Sequence, residues 1–219
     1  MKRQHEKTLS HAPRRARGQR GFLSSRQALV VLGLIFLAPT FVAWVMHHGG
    51  NGSWRPQGTT NQGSLVQPAR PLQMPDDLRV ADRSLNEYLQ GMWTLLYIGA
   101  ADCDAVCIGS LYKMRQVRIA QNENMKRVQT LYLLQGDRVP DSLAALLREE
   151  YRNLTVVPVP AAQAQQFAPF FIIDGAGMES GRVYFIDPLG NLMMYYGPDA
   201  DPAGMLRDLG KLLKFSRIG

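Results

Sequence analysis

The sequence predicts an α/β domain, a central mixed sheet flanked by helices, behind one N-terminal transmembrane helix. Three observations carry that prediction. Residues 27–46 form a run of twenty without an ionisable group. Beyond residue 80, apolar runs of strand length alternate with stretches of helical periodicity. Near the end of the chain, two apolar runs flank "DPLGN" (187–191), which reads as a β-hairpin turn.

The first 26 residues hold eight basic residues and one acid, Glu6. The rest of the chain balances 17 basic against 17 acidic residues, so the whole formal charge of +7 belongs to this tail. A neutral body lacks the basic face that nucleic-acid binding needs, and no nucleic-acid partner is expected. As a helix, "QALVVLGLIFLAPTFVAWVM" (27–46) is about 30 Å long, the thickness of a hydrocarbon core. Its eleven Leu, Ile, Val and Phe residues favour insertion by roughly 3 to 7 kcal/mol before polar penalties. Pro39 is tolerated within a span, and Trp44 suits an interface. Basic residues flank only the N-terminal side, which predicts a cytoplasmic tail and a domain across the membrane. The run is long for a cleaved signal peptide and no clear A-x-A site follows it, so it reads as an uncleaved anchor in the lipid bilayer. The implied location is a bacterial inner membrane, crossed once, with the C-terminal domain in the periplasm. The organisation is then a basic tail (1–26), a transmembrane helix (27–46), a flexible Gly-, Asn-, Ser- and Thr-rich linker (47–64) and a domain (65–219).

Within the domain, Pro68, Pro71 and Pro75 predict short strands interrupted by turns. "MWTLLYIGA" (92–100) is a continuous apolar run, as a buried central strand would be. Residues 104–121 place Ile108, Leu111, Tyr112 and Met114 on a helical period. "VQTLYLL" (128–134) is a second strand. "PDSLAALLREEY" (140–151) is a helix with Leu143, Leu146 and Leu147 on one face. "LTVVPV" (154–159) is a short strand, "AAQAQQFA" (161–168) a turn or two of helix, and residues 182–197 the hairpin. "DPAGMLRDLGKLLKF" (201–215) closes the chain as an amphipathic helix presenting Met205, Leu206, Leu209, Leu212 and Leu213. The order βαβα followed by ββα fits a thioredoxin-like domain.

Both cysteines of the chain, Cys103 and Cys107, lie where the first strand gives way to its helix. On a helix, residues i and i+4 share a face with Cα atoms about 6 Å apart, within reach of a disulfide or of one soft metal ion. A helix N-terminus favours the thiolate, although Asp102 and Asp104 oppose a second negative charge. A purely structural staple across so short a loop would gain little denatured-state entropy. A redox pair and a metal site therefore both stand ahead of a staple. No histidine lies in the domain, which removes a Ser-His-Asp triad and His-rich zinc sites, and no glycine-rich phosphate loop is present.

From Trp93 to Val117 the sequence resembles the active-site region of the Sco (SenC-like) proteins. These are membrane-anchored thioredoxin-fold factors for copper insertion into cytochrome c oxidase, whose motif is C-P-x-V-C-P. Gly99, Cys103, Val106 and Cys107 match, whereas Asp104 and Ile108 replace the two prolines. "GDRVPDSLAALLREEY" is similar to a second family segment at Asp137, Arg138 and Pro140. "VYFIDPLGNLMMYYG" resembles the family hairpin at Tyr184, Ile186, Asp187, Pro188, Gly190 and Gly197. The resemblance covers about residues 80–215 and implies oxidase assembly, with the oxidase copper-site subunit or its assembly factors as partner. The family holds copper with its two cysteines and a histidine. Here the histidine position falls close to Glu179, and His5, His11, His47 and His48 all precede the domain. Met178 stands beside the missing ligand, and Cys103, Cys107 and Met178 would form a soft set that suits Cu(I) better than Cu(II). The leading expectation is that Cys103 and Cys107 either exchange disulfides with the copper-site subunit, Cys103 attacking, or pass Cu(I) to it, the missing histidine favouring exchange. The alternative is a scaffold of the assembly machinery with a permanent disulfide.

Overall fold

The structure is a computed structural model and describes residues 24–48 and 60–216. The basic tail up to residue 23, the linker between residues 49 and 59, and with them His5 and His11, lie outside the described residues. The chain divides into two compact units, 1–59 and 60–219. The first contributes one described element, helix α1 (Ser25–His48), which carries Pro39 inside it. Within α1, Arg26–Val45 is long and apolar enough to cross a membrane.

The second unit begins with strand β1 (Ser64–Pro71), a two-stranded hairpin of β2 (Arg79–Val80) and β3 (Arg83–Ser84), and the single-turn helix α2 (Leu85–Tyr88). Strand β4 (Trp93–Ala100), helix α3 (Ala105–Ile119), strand β5 (Val128–Gln135), helix α4 (Asp141–Glu150), strand β6 (Leu154–Val159) and helix α5 (Ala161–Phe167) follow. The chain closes with β7 (Val183–Ile186), β8 (Asn191–Tyr196) and α6 (Pro202–Phe215). Six strands form one mixed sheet in the order β1-β8-β7-β4-β5-β6. Strands β4, β5 and β6 run parallel, while β7, β8 and β1 pair antiparallel. This is the thioredoxin-like arrangement expected from the order of elements.

Successive residues of a strand face opposite sides, and both sides of this sheet are covered. Leu95, Tyr97, Tyr132, Leu134 and Phe185 join one core cluster with Leu111 and Met114 of α3, Leu143 and Leu147 of α4, and Met205, Leu209 and Leu213 of α6. Leu96, Ile98, Leu131, Leu133 and Tyr184 join the other, with Leu85 of α2 and Phe167 of α5.

Three expectations are corrected. The proline-rich stretch forms one eight-residue strand, not several short ones. Pro68 is accommodated because β1 is an edge strand, with a register shift between Leu65 and Arg70. On α3 the buried face runs through Cys107, Leu111, Met114 and Val117, leaving Tyr112 53% exposed and Ile108 half-buried. Cys103 lies outside the helix, since α3 starts only after its cap residue, Asp104. Helix α2, unforeseen in the sequence, is fixed by a capping box. Ser84 Oγ accepts from the Glu87 N–H, and the Glu87 carboxylate accepts from the Ser84 N–H.

Asp208 of α6 ties the end of the domain to its beginning. Only 2% exposed, it accepts hydrogen bonds from the N–H groups of Gln62 and Gly63 and from the Tyr196 hydroxyl (2.8 Å). Replacing it by alanine strands these donors around a buried gap. Asp208→Ala should destabilise the domain by about 3 kcal/mol, read as a lower urea midpoint for the full chain in detergent.

Candidate redox site

The site forms at the C-terminal end of β4. The apolar run ends at Ala100, a turn follows, and Asp104 caps α3 by accepting a hydrogen bond from the Cys107 N–H (2.9 Å). Reversing direction within this turn places Cys103 in the left-handed region, at φ +37°. Its N–H donates to the Ala100 carbonyl at 3.3 Å. The two cysteines are joined in a disulfide with Cα atoms 5.1 Å apart. The two cysteines thus meet, but not as an i and i+4 pair on one helix. One cysteine sits in the turn and the other in the first turn of the helix.

Cys103 is 9% exposed and Cys107 2%, so Cys103 is the more exposed residue of the two. Both line an open cleft of about 530 Å³, together with Tyr97, Val106, Glu179 and Gly181. Val106 is 44% exposed and gives the rim an apolar patch. The loop before β7 forms the opposite wall. Gly181 has φ +68°, and a Cβ there would lie 2.8 Å from Val106 Cγ1, so only glycine lets this loop approach α3. Ser110 of α3 donates to the Gly181 carbonyl at 3.4 Å, and Lys113 donates to the Pro198 carbonyl.

Two tyrosines support the floor of the cleft. Tyr132 of β5 is fully buried, its hydroxyl 3.6 Å from Cys107 Sγ and donating to the Ala100 carbonyl at 2.7 Å. The ring of Tyr97 lies 5.5 Å from that of Tyr132. Gly99 makes room for it, because a Cβ at residue 99 would meet the Tyr97 ring at 2.7 Å. Sequence reasoning passed over both tyrosines. The available signal was a hydroxyl on an otherwise apolar central strand, which needs a buried partner.

The third expected sulfur lies elsewhere. Met178 is half-buried against the core cluster on the other face of the sheet, and the cleft is bordered instead by its exposed neighbour Glu179. Among the described residues, no three His, Cys, Asp or Glu side chains converge to hold a metal ion. The arrangement places the disulfide at the wall of an open cleft.

A strand-turn-helix disulfide on this mixed sheet is a thioredoxin-like arrangement. A family model described as "Transmembrane-like, thioredoxin-like, C-terminal domain" matches residues 93–216, more than half of the chain. The chain belongs to that family. Solved structures of Sco proteins share the fold. Copper-bound ScoI from Arabidopsis thaliana is 20% identical with a TM-score of 0.52, covering 70% of this chain and 99% of its own. Apo Sco1 from Thermus thermophilus is 17% identical with a TM-score of 0.55, covering 71% of this chain and 99% of its own. A curated protein of Drosophila melanogaster named "Peroxidase" is 28% identical over 111 residues, 47% of this chain. The chain spans only 16% of that relative's length.

Two outcomes follow from this geometry. Asp104→Ala removes the cap of α3 and should cost about 1 kcal/mol, seen as a lower midpoint in urea. Alkaline pH should unfold the domain. Burial, followed by Asp104 and Tyr184, pushes Tyr97 up to about 12, and burial moves Tyr132 and Tyr196 the same way. A tyrosine whose folded value exceeds its unfolded value of about 10 contributes stability that is intact below pH 10. That stability is lost as pH rises through about 12, at up to about 1.4 kcal/mol per pH unit for each tyrosine. Far-UV circular dichroism across pH 9 to 12 checks it, with expected loss beginning at about pH 10.

Proposed function

We propose that this chain is a membrane-anchored thiol–disulfide exchange protein of a bacterial inner membrane, with its domain in the periplasm. Its substrates are the cysteines of the cytochrome c oxidase copper-site subunit or of that subunit's assembly factors. The observation that carries the reading is the Cys103–Cys107 disulfide lining an open cleft of about 530 Å³. The motif resemblance to Sco proteins and the shared fold support the oxidase setting.

In the reducing direction, the Cys103 thiolate attacks a substrate disulfide, forms a mixed disulfide and displaces one substrate thiolate. Cys107 then attacks Cys103 Sγ, closes the internal bond and releases the second substrate thiolate. A dithiol donor re-opens the bond for the next cycle. Cys103 takes the attacking role because it is the more exposed of the two. Copper is better regarded as cargo than as a resident cofactor. Reduced Cys103 and Cys107 offer two soft donors for Cu(I), but Met178 packs on the far side of the sheet and Glu179 supplies a hard oxygen. The residues present do not fit a three-ligand copper centre, and the geometry supports exchange above copper delivery.

The test is titration of the full chain in detergent with glutathione redox buffers, read by thiol trapping. It is paired with oxidase activity in cells carrying Cys103→Ser/Cys107→Ser. Reversible opening and at least a tenfold fall in oxidase activity are expected. A bond that stays closed against reduced glutathione, with normal oxidase in the double variant, would leave only the scaffold role. In a parallel Cu(I) titration of the reduced chain, Met178→Ala should leave uptake unchanged and the double cysteine variant should abolish it.

A further inference from the structure

The cysteine bond is supported from beneath by a hydroxyl that no part of the exchange scheme has yet used. Tyr132 Oη lies 3.6 Å from Cys107 Sγ and 2.7 Å from the Ala100 carbonyl oxygen, to which it donates. That same carbonyl also accepts the Cys103 N–H at 3.3 Å. The carbonyl therefore keeps one donor when the hydroxyl turns away, and the turn strands no buried polar group. Neither side chain has room to drift, since Tyr132 is fully buried against the Tyr97 ring and Cys107 is only 2% exposed.

Opening the disulfide changes what the hydroxyl faces. When an incoming thiolate attacks Cys103 Sγ, a new sulfur–sulfur bond forms there and the Cys103–Cys107 bond breaks. The electron pair goes to Cys107 Sγ, which becomes a buried thiolate. A buried anion without a hydrogen-bond donor is costly, and a donor already within reach lowers that cost. Cys107 also has its N–H occupied by Asp104, so the helix end offers that sulfur less than a bare N-terminus would.

We propose that Tyr132 is a catalytic hydrogen-bond donor for thiol exchange, its hydroxyl turning from the Ala100 carbonyl to the Cys107 thiolate as the disulfide opens. This rests on the exchange reading above. It makes Cys107 the leaving sulfur, Cys103 the attacked one, and the substrate class a thiol small or flexible enough to reach Cys103 from the cleft. In the reverse step Cys107 attacks Cys103 Sγ, the mixed disulfide breaks, the substrate leaves as its thiolate, and the hydroxyl returns to Ala100. No proton is lost and no further reactant is needed.

The experiment compares the full wild-type chain in detergent with Tyr132→Phe, and with Tyr88→Phe as a control that removes a hydroxyl bonded to Thr155, away from the cleft. The opening rate with glutathione and the equilibrium reduction potential are measured by thiol trapping. Tyr132→Phe should open about tenfold more slowly. Its equilibrium should shift about tenfold towards the disulfide, equal to about 30 mV more negative. Tyr88→Phe should leave both quantities at wild-type values. If wild type cycles and Tyr132→Phe matches it in rate and potential, the inference is overturned while the exchange reading stands. If the wild-type bond never opens, both fall together. Should Tyr132→Phe fail to fold, the ¹³Cζ resonance of labelled Tyr132 in the wild-type chain decides the matter. It should move on reduction, and an unmoved resonance refutes the turn.

Discussion

Strand β4 has hydrogen-bonded neighbours on both sides, parallel β5 along all eight of its residues and antiparallel β7 along four, and seven of its residues are buried. That double pairing constrains everything that follows it. A strand enclosed on both edges and both faces can be left only at its end, and its parallel neighbour requires a crossover. Helix α3 must therefore begin within a few residues of Ala100. The turn that achieves this holds Cys103 at positive φ, gives Asp104 the cap, and sets Cys107 against the sheet. The disulfide's position is a consequence of sheet topology as much as of cysteine spacing.

Most of the architecture was legible because its signals are local. Continuous apolar runs marked β4 and β5, and the leucine periodicity of 140–151 marked α4. The hairpin of β7 and β8 was readable from its Asp-Pro-Leu-Gly-Asn turn, where Asp187 accepts from the N–H groups of Leu189 and Asn191. What stayed hidden depends on distant partners. Pro68 argues against a strand until β8 supplies the edge pairing of β1. The capping box at Ser84 and Glu87 was visible in principle but encloses only one turn of helix. The rotation of α3 followed the contact of Cys107 and Leu111 with the sheet, which the periodicity alone placed about one residue away.

The site divides in the same manner. Its sulfur pair is a sequence feature, whereas its supporting groups come from β4, β5 and the loop before β7. Tyr132 is 25 residues from Cys107, and Gly181 is 71 from Ser110. Motif matching placed Met178 near the pair because it stands beside Glu179, at the position of the family's histidine. A loop residue's neighbour can point to the other core, and here residues 178 and 179 part in this way. Met178 and the two cysteines are thus kept on opposite faces of the sheet, while the cysteines remain bonded to each other.

Sequence separation also divides the contacts of the domain into local and long-range closures. The two cysteines are four residues apart, so their bond can close in a chain that has not yet folded. Gln62 and Asp208 are 146 residues apart, and the edge strand must wait for the last hairpin before it has a partner. Long-range closures of this kind are slow compared with local ones. The Cys103–Cys107 bond constrains only a short local loop, and the long-range closure of the domain rests on the Asp208 contacts and the pairing of β1 with β8, neither of which depends on it.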